Sequence, residues 1–155
     1  MSSMEEIEIR PAKREDMPAV AALIRELADY EELTDGQKLT VEDLKRDGFD
    51  ADPPLFRCAL AVTPDSSVVG YAVYFYTYST CTGAAGQLED IYVTPAMRGK
   101  GVGGKLFDYV AQQVAANGGS RLEFHVLTWN PARKFYEKRG ATNLNDQWCY
   151  YRLDM

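Results

Sequence analysis

The stretch that decides the fold of this chain is Arg98-Gly99-Lys100-Gly101-Val102-Gly103-Gly104-Lys105, which lies between a predicted strand and a predicted helix. Glycines let a backbone approach a ligand closely, and the N–H groups at the start of a helix attract anions. Three basic side chains within the stretch add positive charge. We therefore predict a loop that binds a phosphate-bearing ligand.

Two known phosphate-binding patterns share letters with this loop but do not fit its surroundings. Gly99-x-Gly101-x-x-Gly104 matches the dinucleotide fingerprint, but Thr94–Met97 separate it from the strand, and the roughly 50 residues that follow are too few for a doubly wound sheet. Gly99-x4-Gly104-Lys105 resembles a nucleotide P-loop, but Leu106 stands where a magnesium-binding Ser or Thr is needed. A helix start padded with glycine for packing alone is also unfavourable, because each glycine costs about 0.5–1 kcal/mol.

The hydrophobic pattern on either side of the loop predicts alternating strands and helices. The predicted strands are Glu6–Arg10, Leu55–Val62, Val68–Tyr76, Gln87–Val93, Arg121–Leu127 and Trp148–Leu153. The predicted helices run from Asp16, from Thr40 through Lys45 with an end at Gly48, from Gly101 to Ala116, and from Pro131 to Lys138. Four tyrosines of the second hairpin strand and its end are interpreted as sheet surface or a dimer face: Tyr71, Tyr74, Tyr76 and Tyr78. The order βααβββαβαβ predicts an α/β fold with a mixed central sheet flanked by helices, in a single domain over residues 1–155.

Composition and charge exclude several classes of protein. The chain has 155 residues, of which 46% are hydrophobic, and this is typical of a globular protein rather than a disordered one. Its net charge of −6 argues against binding to nucleic acid, which needs a basic face. The apolar run Val68–Phe75 is far shorter than the ~18 residues of a membrane-spanning helix, so no membrane partner is expected.

Cysteine use and the first residues predict a cytoplasmic location. Cys58, Cys81 and Cys149 are odd in number and widely spaced, which fits neither a disulfide framework nor a zinc site. Met1–Arg10 carries three glutamates and no apolar run, so it is not a signal peptide. We therefore expect a reducing compartment and no metal.

Two motifs resemble the signatures of the GNAT N-acetyltransferases. Arg98-x-x-Gly101-x-Gly103, after the strand Leu88–Val93, resembles the acyl-CoA loop of that family, and Trp129-Asn130 with Phe135–Ala141 resembles its second signature. Four further stretches resemble the spermidine/spermine acetyltransferase branch of that family, and above all its thialysine-acetylating members. They are Arg25–Glu31, Asp47–Phe49, Tyr78–Thr80 and Leu88–Val93. The resemblance covers nearly the whole chain.

The resemblance implies a GNAT fold, acetyl-CoA as co-substrate, a small primary amine as acceptor, direct attack in a ternary complex, and a homodimer. It implies that Glu89 is the general base for the amine, that Tyr136 protonates the departing thiolate, and that a main-chain N–H near Ile91 stabilises the oxyanion. The residues that it implies for acyl-CoA binding are Ile91, Val93, Arg98, Gly99, Lys100, Gly101, Val102, Gly103, Gly104, Asn130, Pro131, Ala132 and Arg133. Those that it implies for amine binding are Tyr30, Glu31, Glu89, Asp90, Glu123, Phe124 and His125.

Strand geometry adds an expectation about the two adjacent carboxylates. Successive side chains of a strand point to opposite faces, so Asp90 is expected on the side away from Glu89 unless a bulge intervenes.

The chain departs from the family pattern at two places. Asn130 and Tyr136 are six residues apart, one fewer than is usual, which rotates one against the other on a helix by about 100°. Cys81 stands where polyamine-preferring members carry a tryptophan, and this favours a shorter aminoalkyl substrate such as thialysine. Two alternatives stay open: acetylation of a protein N-terminus or lysine, and a CoA-binding sensor without turnover.

Overall fold

A computed structural model of the chain describes residues 6–33 and 38–155. The first five residues of Met1–Arg10, the segment predicted not to be a signal peptide, lie outside the described residues. Two compact units are present, one ending at His125 and one beginning at Val126. The elements of the first unit are β1 (Glu8–Pro11), α1 (Met17–Tyr30), α2 (Val41–Lys45), β2 (Arg57–Val62), β3 (Val68–Ser79), β4 (Gly83–Val93), α3 (Val102–Ala116) and β5 (Leu122–Phe124). The second unit contains α4 (Ala132–Lys138).

A five-stranded sheet in the order β1-β2-β3-β4-β5 forms the centre of the first unit. The strands β1 to β4 pair antiparallel, whereas β5 pairs parallel with β4. A parallel neighbour needs a crossover connection, and α3 supplies it between β4 and β5. The predicted mixed sheet is therefore confirmed. Among the described residues, none of the helices has both the length and the apolar character needed to cross a bilayer.

The second helix begins as predicted but continues beyond its predicted end. The Thr40 Oγ1 atom accepts a hydrogen bond from the N–H of Asp43 at 3.2 Å, and the N–H of Thr40 donates to the Asp43 carboxylate at 2.9 Å, which is a reciprocal cap. A wider turn at Arg46–Asp50 then prolongs α2 past Gly48. Gly48 is not a helix stop. A Cβ atom there would lie 2.4 Å from the ring of Phe56, so the glycine permits a close contact.

Both faces of the sheet carry a hydrophobic core. The core against α3 includes Ala59, Ala72, Leu88, Leu106 and Val110. The core against α1 includes Met17, Val20, Leu60, Tyr71 and Tyr92. The interpretation of four tyrosines as sheet surface is wrong for two of them. Tyr71 and Tyr74 are buried, on opposite faces of β3. A central strand covered on both sides buries its side chains whichever way they point.

The predicted last strand, Trp148–Leu153, is wrong. Residues 148–155 have no regular secondary structure, and the sheet consists of β1 to β5. The prediction rested on the strand propensity of aromatic residues such as Trp148 and Tyr150. Propensity measures how well a side chain fits a paired, half-buried surface, and it does not supply the neighbouring strand.

Candidate active site

The glycine loop forms the start of α3, as predicted. After a short turn at Pro95–Met97, Gly99 (φ +73°) and Gly101 (φ +82°) adopt left-handed conformations that favour glycine. Gly101 is the cap of α3, and the N–H of Lys105 donates to its carbonyl at 3.1 Å. The N–H groups of Gly101–Gly104 therefore precede the hydrogen-bond ladder of the helix. This is the backbone arrangement that binds phosphate.

Arg98 connects the loop to β4 and α1. Its Nε atom donates to the carbonyl of Val93 at 2.9 Å, and its guanidinium lies 5.2 Å from the ring centre of Tyr92 and 5.4 Å from that of Tyr30, the last residue of α1. Such contacts between a guanidinium and aromatic faces are attractive. Three predicted site residues, Tyr30, Val93 and Arg98, are thus brought together. The sequence did not reveal these contacts, because spacing alone does not show that the rings of Tyr30 and Tyr92 both lie beside the Arg98 guanidinium.

A β-bulge interrupts β4 at Glu89. Residues 88 and 90 pair with the adjacent residues Tyr74 and Val73 of β3, so Glu89 is the extra residue of β4. Leu88 packs against α3, whereas Tyr92 packs against α1, although regular alternation would put both on one face. The bulge that the strand geometry left open is therefore present, and it turns Asp90 towards the face covered by α1.

The parallel pairing with β5 ends where the bulge begins. Gly86–Leu88 pair with Leu122–Phe124, and β5 ends there. The predicted strand Arg121–Leu127 was too long, and His125 follows the strand rather than lying in it. A bulge bends its strand and disrupts the ladder, which explains the early end. In the part of the chain that the structure describes, residues 90–93 pair with β3 alone.

Three carboxylates, those of Glu31, Glu89 and Asp90, lie close enough to influence one another. Burial raises the pKa of Glu31, which follows α1, and the charges of Asp90 and Glu89 raise it further. Burial also raises the pKa of Asp90, and the charge of Glu89 adds to the rise. Like charges in a partly buried place repel one another, and a bound cation relieves that repulsion. The structure thus brings these three predicted amine-binding residues together.

Tyr71, a residue of β3, contacts one of these carboxylates. The sequence did not identify it as a site residue. Its side chain is fully buried, and its hydroxyl donates to the Asp90 Oδ2 atom at 2.9 Å. A signal was present in the sequence. Val68–Phe75 is a continuous apolar run, which is typical of a strand buried on both faces. A tyrosine within such a strand needs a partner for its hydroxyl.

The predicted site residues in β5 and directly after it make contacts of a different kind. Glu123 forms an ion pair with Arg121, with 2.6 Å between Nε and Oε1. The ring of Phe124 packs edge-to-face on Phe107 at 5.7 Å between centroids, against the core on the α3 side. The Nδ1 atom of His125 lies 3.3 Å from the side-chain amide of Gln87. Their roles in amine binding stay predictions.

The second unit carries the remaining predicted residues. The Asn130 Oδ1 atom accepts a hydrogen bond from the N–H of Ala132 at 2.9 Å, so Asn130 caps the first turn of α4. Arg133 donates to the carbonyl of Thr128 at 3.0 Å. Tyr136 is the buried residue of α4, and its ring lies 5.1 Å from that of Phe135. The predicted roles of Asn130, Pro131, Ala132, Arg133 and Tyr136 in acyl-CoA binding and proton transfer stay predictions.

A cavity of about 300 Å³ lies elsewhere in the first unit. Aromatic side chains form much of its wall, among them Phe49, Phe56, Tyr74 and Tyr76, and the Arg57 guanidinium lies 5.7 Å from the ring centre of Tyr76. The residues that line it do not include the predicted site residues. The candidate site is therefore defined by the glycine loop, the bulge and the three carboxylates.

Comparison with known proteins identifies a family model and relatives over nearly the whole chain. Residues 20–141 match the model of the acetyltransferase (GNAT) family. The chain is 39% identical over 161 residues to thialysine N-epsilon-acetyltransferase of Sus scrofa, a match that covers 97% of this chain and 94% of that protein. It is 37% identical over 162 residues to spermidine/spermine N(1)-acetyltransferase-like protein 1 of Homo sapiens, which covers 99% of this chain. The chain spans only 23% of the length of that human relative.

Solved structures show the same fold. The ribosomal-protein-alanine N-acetyltransferase of Brucella melitensis biovar Abortus 2308 superposes with a TM-score of 0.71 at 26% identity, over 96% of this chain and 99% of that one. An integron cassette protein from the mobile metagenome of V. cholerae superposes with a TM-score of 0.77 at 25% identity, over 97% of this chain and 93% of that one. The predicted fold class is therefore confirmed. The prediction of one domain over residues 1–155 stays a prediction.

Proposed function

This chain belongs to the acetyltransferase (GNAT) family, and from that premise we propose that it transfers the acetyl group of acetyl-CoA to a primary amine of a small cationic substrate, a thialysine-like amino acid or a di- or polyamine. The observation that carries the proposal is the cluster of Glu31, Glu89 and Asp90 at the bulge of β4. Clustered carboxylates attract a substrate with a positive charge besides the amine that reacts. The names of the relatives, for thialysine and for spermidine/spermine acetyltransferases, support the same class of substrate.

The start of α3 supports acetyl-CoA as the acyl donor. The N–H groups of Gly101–Gly104 suit a diphosphate, and Lys100 and Lys105 are exposed cations beside them. At Gly99 a Cβ atom would meet nothing within 4 Å, so the loop has open space on that side. When bound, acetyl-CoA supplies an activated thioester carbonyl. The main chain of residues 89–93, beyond the ladder with β5, can bind an extended pantetheine arm as an added strand would.

Glu89 is the general base in this proposal. An alkylamine with a pKa near 10.4 is neutral in only about one molecule in 2,500 at pH 7, so the ammonium must lose its proton before attack. Glu89 is exposed and is the extra residue of the bulge, so its side chain is not committed to the core. A carboxylate there can take the proton directly or through one water. The main-chain N–H near Ile91 is proposed to stabilise the oxyanion.

The cysteines support direct attack on the thioester without an acyl-enzyme. Burial raises the pKa of the Cys58 thiol to about 12, so that thiol stays protonated and is a poor nucleophile. Cys81 lies in the turn between β3 and β4, where its N–H donates to the Ser79 Oγ atom at 3.1 Å. Cys149 lies in the irregular C-terminal residues. We propose a ternary complex in which the amine itself is the nucleophile.

Replacing Tyr136 with Phe is expected to lower kcat by about tenfold while the KM for acetyl-CoA stays within about twofold. The effect is modest for acid catalysis because a thiol has a pKa near 8.5 and leaves readily at pH 7. Steady-state release of free thiol measures both constants. Tyr109→Phe, which removes a hydroxyl from α3, is the matched control. Wild-type turnover in Tyr136→Phe would assign Tyr136 to the core alone.

A thiol-release assay with a panel of amines tests the proposed function. Thialysine, lysine, putrescine, spermidine and spermine are compared at saturating acetyl-CoA. We expect thialysine to give the highest kcat/KM, because Cys81 in the β3–β4 turn offers no aromatic wall for a longer polyamine. Turnover of peptide N-termini or protein lysines alone would overturn the proposed substrate class. Acetyl-CoA binding without turnover of any amine would identify a sensor.

The proposal extends to a cytoplasmic homodimer, as the family resemblance implies. Cys58, Cys81 and Cys149 are free thiols in the structure, which suits a reducing compartment. Light scattering coupled to gel filtration would measure the mass in solution against 17.4 kDa for one chain.

A further inference from the structure

We propose that Tyr71 is a positioning residue of the amine site, which holds the Asp90 carboxylate in place so that Asp90 and Glu31 bind the distal cation of the substrate. This inference rests on the proposed function and names a residue that acts through Asp90 rather than on the substrate. It starts from a buried hydroxyl that the packing of the core does not require.

The Tyr71 side chain lies in the middle of the core on the α1 side, and none of its surface is exposed. Its Cα partner on β4 is Tyr92, with ring centres 6.5 Å apart, but its hydroxyl reaches diagonally along β4 to the Asp90 Oδ2 atom at 2.9 Å. A phenylalanine would fill the same volume. Burial of a hydroxyl is unfavourable unless it is hydrogen-bonded, so the bond to Asp90 accounts for the tyrosine at this position.

The surroundings of Asp90 explain why it needs a donor. Three groups interact with it electrostatically: Glu31 at the end of α1, Glu89 before it on β4, and Cys58 of β2. Burial and the charge of Glu89 both favour the protonated form of Asp90. The hydrogen bond from Tyr71 lowers the pKa of Asp90 and so favours the charged form. With Oδ2 held by Tyr71, the other carboxylate oxygen remains for an ammonium group.

The bulge places Asp90 on the same face of the sheet as Tyr71. If β4 ran through Glu89 as a regular strand without a bulge, Asp90 would share the face of Leu88, against α3, and Tyr71 lies on the opposite face. With the bulge, Asp90 lies on the α1 side together with Tyr71 and Glu31. The bulge therefore supplies the placement of the carboxylate, and Tyr71 supplies its orientation.

Tyr71→Phe tests the inference, with Tyr74→Phe as the matched control. Both tyrosines are buried on β3, but Tyr74 packs on the α3 side. For Tyr71→Phe we expect the KM for the amine to rise about tenfold, with kcat at saturating amine within about twofold, because a hydrogen bond to a charged group is lost. The acid limb of kcat/KM against pH is expected to move about one unit higher, since the pKa of Asp90 rises when the donor is removed. Tyr74→Phe is expected to leave both readouts unchanged.

Asp90→Asn completes a double-mutant cycle. If Tyr71 acts through the Asp90 charge, Tyr71→Phe adds no further loss of amine affinity in the Asp90→Asn background. Equal losses in both backgrounds, an unmoved acid limb, or a loss confined to kcat would overturn the inference. Each of these outcomes leaves the proposed function intact, because the wild-type enzyme still turns over its amine.

Two NMR measurements without substrate keep the inference testable if no amine is turned over or if Tyr71→Phe does not fold. The Asp90 carboxyl signal of the wild type gives its pKa, which is expected to rise by about one unit in Tyr71→Phe. The Tyr71 hydroxyl proton of the wild type is expected to exchange slowly with solvent and to shift as Asp90 titrates. A Tyr71 signal that does not respond to pH would contradict the inference, whereas failure of turnover alone would contradict only the proposed function.

Discussion

Replacing Glu89 with Gln is expected to lower kcat/KM for the amine by about 10²–10⁴-fold at pH 7, the range for removal of a general base. Gln has nearly the same size and shape but cannot accept the proton of the ammonium group. The position is exposed, so the substitution leaves no unpaired group in the core. A thermal midpoint close to that of the wild type is therefore expected alongside the loss of rate.

The dependence on pH identifies the role of Glu89. The loss is expected to be largest at low pH, where nearly all of the amine is protonated, and to shrink as the pH approaches the amine pKa of about 10.4. Rates of thiol release between pH 6 and about pH 10 measure this trend. Glu8→Gln, which alters an exposed glutamate of β1, is the control. A variant profile parallel to that of the wild type would remove Glu89 from the role of base.

Replacing Gly99 with Ala is expected to raise the KM for acetyl-CoA about 10- to 100-fold, the effect of losing a hydrogen bond to a charged group. Gly99 has φ +73°, and an alanine in that left-handed conformation is strained by about 1–2 kcal/mol. The loop relieves that strain by moving its backbone. The N–H groups that follow Gly99 then turn away from the diphosphate. The kcat at saturating acetyl-CoA is expected to change little.

Gly118→Ala separates this effect from a loss of stability. Gly118 has φ +83°, and like Gly99 it has nothing within 4 Å of an added Cβ, but it follows the opposite end of α3. Both variants are expected to lose a similar free energy of unfolding, and only Gly99→Ala should lose affinity for acetyl-CoA. Isothermal titration with CoA gives the affinities directly. Equal affinities in the two variants would exclude the loop as the diphosphate site.

The elements around the glycine loop could be predicted from sequence because local rules determine them. The apolar stripe of α1, the cap at Thr40 and the glycines before α3 each act within a few residues, and the structure confirms all three. Trp148–Leu153 obeys the local rule for a strand equally well, yet it lies outside the sheet. Strand formation depends on a partner that is distant in sequence, and no local pattern contains it.

The candidate site was predictable in its residue types but not in its geometry. Glu31, Glu89 and Asp90 were identified by resemblance, whereas Tyr71 was interpreted as surface. The difference arises from the bulge, which changes the face of each later residue of β4. No residue type or motif in the sequence marks the position of the bulge. The contacts of Arg98 with Tyr30 and Tyr92 depend on the same change of face.

Because of the bulge, β4 tolerates a change of side chain at position 89 differently from a change in its pairing with β3. Residue 89 has no pairing partner on β3, so exchanging its side chain alters reactivity and leaves the sheet intact. Deleting that residue would restore the regular pleat with Leu88 and Asp90 still on opposite faces, so the base would be lost and Asp90 would stay on the α1 side. Pairing Glu89 with β3 as a regular residue would instead turn Asp90 towards the aliphatic core on the α3 side, at a cost of several kcal/mol. Substitution at position 89 can therefore change the chemistry of the site without changing the fold, whereas a change in the pairing register beyond position 89 would move the Asp90 carboxylate.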